Sequence, residues 1–486
     1  MIDAVNIHKM NKTLKSFKFP VATSYAEKFA QERFMKKFEE PDSAKIASLK
    51  EQAWVAFLER DLVLDKPDVI RLYPGPLYKA RLKLAEMLVN LPAVNETFLP
   101  KGSEFYSTRG RNSIEARLTS SKWSVTRDCF DDFFIEVRNN HSLKIALKKR
   151  FNAKIRQIKK DSIQKVNRDL WLTYGDPEEI LRQKLIFVTE FEYGSRFSTV
   201  PKNNKVRRPI NIENFGNIIV QRKIGAQLRL VIKNNFYDLD TLAETHATRI
   251  QDPNVATIDF SNASDSMSLA LIKFLVPNRF FERLCRARSE MILGPDGCYH
   301  YLNKISSMGN GFTFELMSLV LVAIARVFDP TASVFGDDVI IKNSAAQDFI
   351  DVCTSVGFNV NSDKTFINSE FRESCGANWH DSHGYIESYD FTWITNPGEF
   401  IVTLNKLYRL CFLYPSFMAL RNVAMRQIPA AMQRGPSDWL DNQNFYMKAL
   451  HSRDKDGKPV YDFPSYIVSS RVVGDKITQR HVINYL

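Results

Sequence analysis

Eight residues constrain this chain more than any others: Val334-Phe335-Gly336-Asp337-Asp338-Val339-Ile340-Ile341. Apolar, mostly β-branched residues flank a Gly-Asp-Asp centre, the pattern of a tight β-hairpin with two carboxylates at its tip. Glycine supplies the positive φ such a turn takes. Adjacent carboxylates repel, so a fold that presents two side by side needs a cation to compensate. On these residues alone, an ordinary Asp-containing turn would look the same. Upstream, Val255-Ala256-Thr257-Ile258-Asp259-Phe260-Ser261-Asn262-Ala263-Ser264-Asp265 is a second short apolar strand that ends in an aspartate and runs into a polar helix start. Two strand-end carboxylates from distant parts of one chain can share a pair of Mg²⁺ ions, as in phosphoryl and nucleotidyl transfer.

The 486 residues suit several subdomains, and 44% hydrophobic content with only 19 Gly and 20 Pro marks a globular chain. A net charge of +12 favours a polyanionic partner, nucleic acid before membrane, although many enzymes are mildly basic. The six cysteines are scattered without a Cys-x-x-Cys pair, which speaks against a zinc ribbon or disulfide scaffold and for a reducing compartment. Cys375, His380 and His383 could form part of a metal site but lack a fourth ligand. The first residues hold no basic segment followed by an apolar run, so no signal peptide is expected. The most apolar stretch, 316–328, is short and interrupted by Ser318 and Arg326, so no membrane span is expected. These readings together predict a soluble protein of the cytoplasm.

Along the chain, Phe17, Phe19 and Phe29 are candidate docking points in a polar amino-terminal stretch. Residues 44–64 and 76–91 have helical apolar spacing, with Pro76 suited to a helix start. Residues 107–113 read as a basic loop. Residues 141–170 carry ten Lys or Arg against two Asp, with apolar residues at helical spacing. That stretch is either a solvated helix face or a phosphate-contact surface, with Lys148, Lys149 and Arg150 as candidate contacts. The segment from Ser198 to Pro209 is extended, basic and stiffened by proline at both ends; Lys202, Lys205 and Arg208 suit triphosphate binding. Helices are predicted over 214–236 and 273–293. A turn at 294–297 leads into 299–305, and the loop Ser306-Ser307-Met308-Gly309-Asn310-Gly311 precedes another helix. After the Gly-Asp-Asp hairpin, a capping box at 344–347 predicts a helix to 356. Residues 358–366 read as a strand containing Lys364, and 371–376 as part of a hairpin. From residue 400 on the pattern is mostly helical, with a polar tail.

Strand with aspartate, glycine loop and helix, Gly-Asp-Asp hairpin, then helix and lysine strand is the motif order of right-hand nucleic-acid polymerases. The residues Val200-Pro201-Lys202-Asn203-Asn204-Lys205, Asp259 to Ser266, Ser306 to Gly311, Gly336-Asp337-Asp338 and Phe371-Arg372-Glu373-Ser374-Cys375-Gly376 more closely resemble the replicase catalytic subunits of leviviruses. These are the small positive-strand RNA bacteriophages of the Q-beta type, and the resemblance runs from about residue 197 to 408. It implies an α+β right-hand polymerase fold with fingers, palm and thumb. The expected segments are an amino-terminal helical region bridging fingers and thumb over 1–110, fingers over 111–250, palm over 251–400, and helical thumb with carboxy-terminal region over 401–486.

The implied activity is RNA-dependent RNA synthesis by two-metal nucleotidyl transfer. Asp259 and Asp337 would hold two Mg²⁺ ions, with Mn²⁺ as an alternative, and Asp338 would support them. Asp265 and Asn310 would lie near the ribose of the incoming nucleotide, and Lys202, Lys205 and Arg208 at its triphosphate. Lys364 would protonate the leaving pyrophosphate. Phe335 stands where most relatives have Tyr, a change expected to affect packing alone. Implied partners are the RNA template and product, nucleoside triphosphates, host elongation factors Tu and Ts, and a host RNA-binding ribosomal protein, in the cytoplasm of the bacterial host. Two rivals remain. A reverse transcriptase would usually place a bulky aromatic in the region of 261–265, which here is small and polar. A basic RNA-packaging protein would leave the three aspartates without a purpose.

Overall fold

The computed structural model describes residues 7–426, apart from 41, 65–71, 97–102, 107–113, 120–121, 159–162, 204 and 396, and beyond 426 only 451–453, 459–461, 466–473 and 476–483. The basic loop expected over 107–113 lies outside the described residues. Helices and short, mostly antiparallel strands are mixed along the chain, the α+β class expected from sequence. The chain divides into two compact units, one within 1–47, 201–206 and 383–486, the other within 48–200 and 207–382. The first joins stretches from both ends of the sequence, so its boundaries cut across the four consecutive segments expected above.

In the larger unit a four-stranded antiparallel sheet runs in the order Asn359–Val360, Val255–Ser261, Asp338–Lys342, Ser333–Phe335. Its central strands are buried on both faces. Ala256, Ile258, Val339 and Ile341 enter the main core, whereas Val255 and Ile340 pack with Ile250 against Ala377 and Trp379. Double burial explains why these strands read as continuous apolar runs without polar alternation. The helix Thr313–Phe328 is buried over most of its surface. That burial accounts for the most apolar stretch of the sequence, and no described helix is long and apolar enough to cross a membrane.

Several predicted elements break where a local interaction overrides periodicity. The helix expected over 273–293 is two helices, Leu269–Leu275 and Asn278–Ala287, parted at Pro277, and Met291–Leu293 is a strand. Proline has no N–H to continue the first helix. The basic 141–170 region is likewise two helices, His141–Ile158 and Ile163–Tyr174. The helix after the hairpin, Asn343–Ser355, starts one residue before the expected capping box and has no side-chain cap bond; it does end before Gly357, at φ 103°. Beyond residue 400 the helices Pro397–Leu413 and Pro415–Met425 match the expectation, while residues 427–432 lie outside the described residues. The tail contains two strand pairs, His451–Arg453 with Pro459–Tyr461 and Tyr466–Val473 with Lys476–Ile483.

In the smaller unit Phe19 does dock, against Phe17, Phe34 and Phe417. Asn11 fixes the same unit by a reciprocal pair of hydrogen bonds with the backbone of Ile394, at 2.8 and 3.0 Å.

One buried histidine ties the larger unit together beneath the sheet. His246 contacts Ser374 Oγ through Nδ1 at 2.8 Å and Ser333 Oγ through Nε2 at 2.9 Å. It thereby links the first strand of the Gly-Asp-Asp hairpin to the strand Phe371–Ser374. Burial, then the charge of Arg249, lowers its pKa to about 3. The native ring therefore stays neutral where the unfolded chain takes up a proton, below about pH 6.5. Its stabilisation is complete above that pH and is lost as pH falls towards 3. In urea denaturation, the stability difference between wild type and His246→Gln is expected to shrink over this window; a constant difference would mean that the native ring titrates like the unfolded one.

Candidate active site

Asp259 and Asp338 lie directly opposite each other on neighbouring antiparallel strands. Asp337 precedes Asp338 in the hairpin turn, where Gly336 has φ 67° and its N–H donates to Ser318 Oγ at 2.9 Å. A Cβ at Gly336 would lie 2.7 Å from the Phe314 ring, so glycine is needed for space as well as for φ. Phe335 packs edge-on against that same ring, at 4.9 Å between centroids. A phenyl ring at this position is thus a packing element.

Like charges directly opposite on a sheet destabilise it. The cost is visible in the carboxyl groups. Burial, followed by the charges of Asp337 and Asp259, pushes Asp338 up to about 7. Burial also raises Asp259, with Asn361 and Lys364 opposing and Asp337 and Glu373 adding to the shift. Two turns hold these groups in place. The Cys375 N–H donates to Asp338 Oδ2 at 3.1 Å, and Asn361 Nδ2 donates to Asp259 Oδ2 at 2.6 Å. Cys375 and Gly376 both have positive φ, 52° and 81°, which is what a two-residue hairpin turn of the primed type takes.

Lys364 is not on a strand, as expected from sequence, but on the 3₁₀ turn Ser362–Lys364. Asn361 still pairs with Asp259, donating to its carbonyl from the backbone at 2.9 Å as well as to its carboxylate, and the chain then turns, with the Lys364 N–H donating to the Asn361 carbonyl at 3.0 Å. Lys364 Nζ pairs with Glu373 at 3.1 Å. Burial pulls this ammonium down, but Glu373, Asp259 and Asp338 outweigh it and hold the pKa above the ordinary lysine value. Sequence reasoning missed Asn361 and the backbone of Cys375. Only a positive-φ residue beside a glycine in a hairpin could have signalled the second.

Among the described residues no three His, Cys, Asp or Glu side chains form a ready-made metal group. For Cys375, burial and the charge of Asp338 push the thiol up to about 12, so it carries no thiolate for a metal. Asp259 and Asp338 accept from separate donors, Asn361 and the Cys375 amide. Their chemistry nevertheless fits a hard divalent cation, with oxygen donors only and a surplus of negative charge that leaves Asp338 half-protonated near neutrality.

Asp265 ends the 3₁₀ turn Ala263–Asp265, which begins after Asn262 at φ 53°. It is buried, and its Oδ1 lies 3.3 Å from Lys304 Nζ. Asn310 Oδ1 accepts from the Phe312 N–H at 3.0 Å and so braces the glycine loop. A Cβ at Gly309, φ 110°, would lie 2.1 Å from the Asn211 carbonyl oxygen. The Asn310 side chain also reaches the buried Glu213 carboxyl, where it opposes the rise that burial causes. Asn310 borders a cavity of about 900 Å³ that is also lined by Arg222, Arg229, Phe314 and Glu315.

Arg208 is exposed on the strand Arg207–Ile212 of the larger unit, whereas exposed Lys202 and Lys205 belong to the smaller unit. Asn203 Oδ1 shapes their turn by accepting from the Lys205 and Val206 N–H groups, both at 2.8 Å. On the helix His141–Ile158, Lys148 and Lys149 are exposed, but Arg150 is buried over the Trp123 ring, 4.6 Å from its centroid. Arg150 also donates to the Leu118 carbonyl, and burial lowers it to about 10. It shares a helical stripe with buried Leu143, Ala146 and Leu147 and is a core residue, so it drops out of the surface contact set.

The site is thus a carboxylate cluster on an antiparallel sheet, flanked by a lysine and a glycine loop. Residues 154–438, more than half of the chain, match the family described as RNA replicase, beta-chain, and the chain belongs to that family. It is 40% identical over 233 residues to the RNA-directed RNA polymerase subunit beta of Enterobacteria phage SP, covering 46% of this chain and 40% of that protein. Against the corresponding subunit of Escherichia virus Qbeta it is 40% identical over 222 residues, 43% of this chain and 38% of the relative. The RNA-directed RNA polymerase beta chain of Escherichia phage MS2 is 34% identical over 223 residues, 44% and 41% respectively. The matched stretch therefore spans about two fifths of these relatives. Among solved structures, the RNA-dependent RNA polymerase of a human picorbirnavirus, as an insertion-loop deletion mutant, aligns at TM-score 0.31 and 13% identity, over 48% of this chain and 56% of that one.

The crowding of the aspartates makes a prediction that needs no turnover. In metal-free buffer near pH 8, Asp338→Asn is expected to stabilise the fold by on the order of 1 kcal/mol, because a buried, repelled charge is removed. Mg²⁺ should raise the melting temperature of the wild type more than that of the variant. Equal shifts on adding Mg²⁺ would mean that Asp338 does not face the ion.

Proposed function

We propose that this chain is the catalytic part of an RNA-dependent RNA polymerase that copies the genome of a positive-strand RNA phage. The observation that carries the reading is the cross-strand pair Asp259 and Asp338 with Asp337 in the adjoining turn, three carboxylates crowded at one sheet end. Membership of the replicase family supports it, as do the names of the relatives. In this reading the sheet belongs to the palm, within 251–400, with fingers over 111–250, a bridging region over 1–110 and thumb and tail over 401–486.

Asp259, Asp337 and Asp338 would hold Mg²⁺, or Mn²⁺ in its place, which when bound supplies an acidified primer hydroxyl and charge neutralisation at the phosphates. The chain itself does the rest. Asn361 and the Cys375 amide hold Asp259 and Asp338 in place. Lys364 keeps its proton at neutral pH and is the donor to the leaving pyrophosphate, work typically worth about 10²–10⁴-fold. Lys202, Lys205 and Arg208 are exposed cations, and they would bind the triphosphate. Asp265 and Asn310 read the sugar hydroxyl, and Lys148 and Lys149 contact the RNA backbone. The beta-subunit names of the relatives favour a larger assembly. Host elongation factors Tu and Ts and a host RNA-binding ribosomal protein are its proposed members, in the bacterial cytoplasm.

Primer extension on an RNA template with Mg²⁺ tests the reading, and a DNA product would favour the reverse transcriptase instead. Asp259→Asn and Asp337→Asn are each expected to lower nucleotide addition by more than about 10²-fold while RNA binding persists. Full activity in either variant would sink the site.

The charge on the helix His141–Ile158 is tested separately. Replacing Lys148 and Lys149 by Ala should flatten the salt dependence of template binding by roughly 0.7 in log–log slope per lost single-strand contact. An unchanged slope would make these lysines a solvated face.

A further inference from the structure

The cation nearest Asp265 is unusual in its burial. No part of the Lys304 side chain is exposed, and its Nζ lies 3.3 Å from Asp265 Oδ1 and 3.8 Å from Asp61 Oδ1. The ammonium sits 3.4 Å from the centroid of the Phe57 ring. A well-packed apolar side chain in its place would often serve the fold as well or better. The helix Ser43–Val63 grips this spot from two sides. Arg60 Nη2 donates to Ser266 Oγ at 2.7 Å, one residue after Asp265, and also to the Gly357 carbonyl. Asp61 Oδ2 accepts from the Asn303 N–H at 2.9 Å, one residue before Lys304. Asp265 Oδ1 is the carboxylate oxygen that the ammonium engages.

We propose that Lys304 is a positioning residue for sugar selection: shared between Asp61 and Asp265, its ammonium aims the Asp265 carboxylate so that it can accept from the ribose 2′-hydroxyl. This rests on the polymerase reading. The ammonium engages Asp265 through Oδ1 alone and leaves the other carboxylate oxygen to the nucleotide. The Phe57 ring supports the cation from the side away from water. Burial lowers the Lys304 pKa, and Asp265 and Asp61 oppose that shift without cancelling it.

The test uses the full chain on an RNA template with Mg²⁺, measuring kcat/KM for a ribonucleoside triphosphate and its deoxy counterpart. In Lys304→Met the ribonucleotide value should fall about tenfold while the deoxynucleotide value stays within about twofold, so the preference collapses. A merely structural ion pair would lower both values together, and a constant ratio overturns the proposal. If Lys304→Met does not fold, Phe57→Leu keeps the charge and removes its support. There the ratio should fall about threefold, and an unchanged ratio likewise overturns the proposal. Wild-type activity with no preference between the sugars overturns it and leaves the polymerase reading standing. A wild type that incorporates neither nucleotide overturns both.

Discussion

The register that sets Asp259 opposite Asp338 is the constraint on which the rest of the larger unit depends. A slip of one residue would turn Ile258 and Val339 out of the core and the aspartates into it. The apolar faces therefore fix the register, and the register brings the two carboxylates together. Like charges so placed are tolerated because the strands on which they sit are buried on both sides by Ala256, Ile341, Val255 and Ile340. The sheet supplies the stability that the charge pair consumes.

Around that pair, unusual backbone does the fine placement. Gly336 at φ 67° fits the turn beneath Phe314, and Cys375 at φ 52° turns its amide towards Asp338. Asn262 at φ 53° starts the short turn that carries Asp265. A non-glycine residue in the left-handed region is uncommon, and where two, Asn262 and Cys375, sit next to or within a charged site, surrounding contacts must hold them there. His246 is one such contact, since it joins Ser333 and Ser374 beneath both hairpins.

Much of this was legible in the sequence because the two hairpins and the Asp259 strand combine strong apolar runs with obligatory turn residues. Such signals are local. What escaped was decided by long-range partners. Asn361 holds the Asp259 carboxylate from across the sheet, and nothing in residues 358–366 alone reveals that. Arg150 looked like one more cation in a basic run, but its place in the stripe of Leu143, Ala146 and Leu147 puts it beneath Trp123. Periodicity carried that information, and charge counting obscured it. Pro277 gave an open signal for a helix break within 273–293, where apolar spacing continued on both sides. The helix Ser43–Val63 was foreseen as an element, yet the contacts of Arg60 and Asp61 with residues more than two hundred positions away were not.

Two lysines show how the same residue type is given different work by its surroundings. Lys364 is partly exposed and faces Glu373, Asp259 and Asp338, so attraction exceeds the burial penalty and its proton is held more tightly than usual. Lys304 is wholly enclosed, and there burial outweighs the pull of Asp265 and Asp61. A lysine open to solvent beside the carboxylates can exchange its proton with a leaving group and recover it from water. One sealed against Phe57 has no such route, and this is why its charge is read as orienting what lies next to it. In the proposed reading, proton transfer and positioning fall to separate cations, and access to water, more than pKa alone, sets the division.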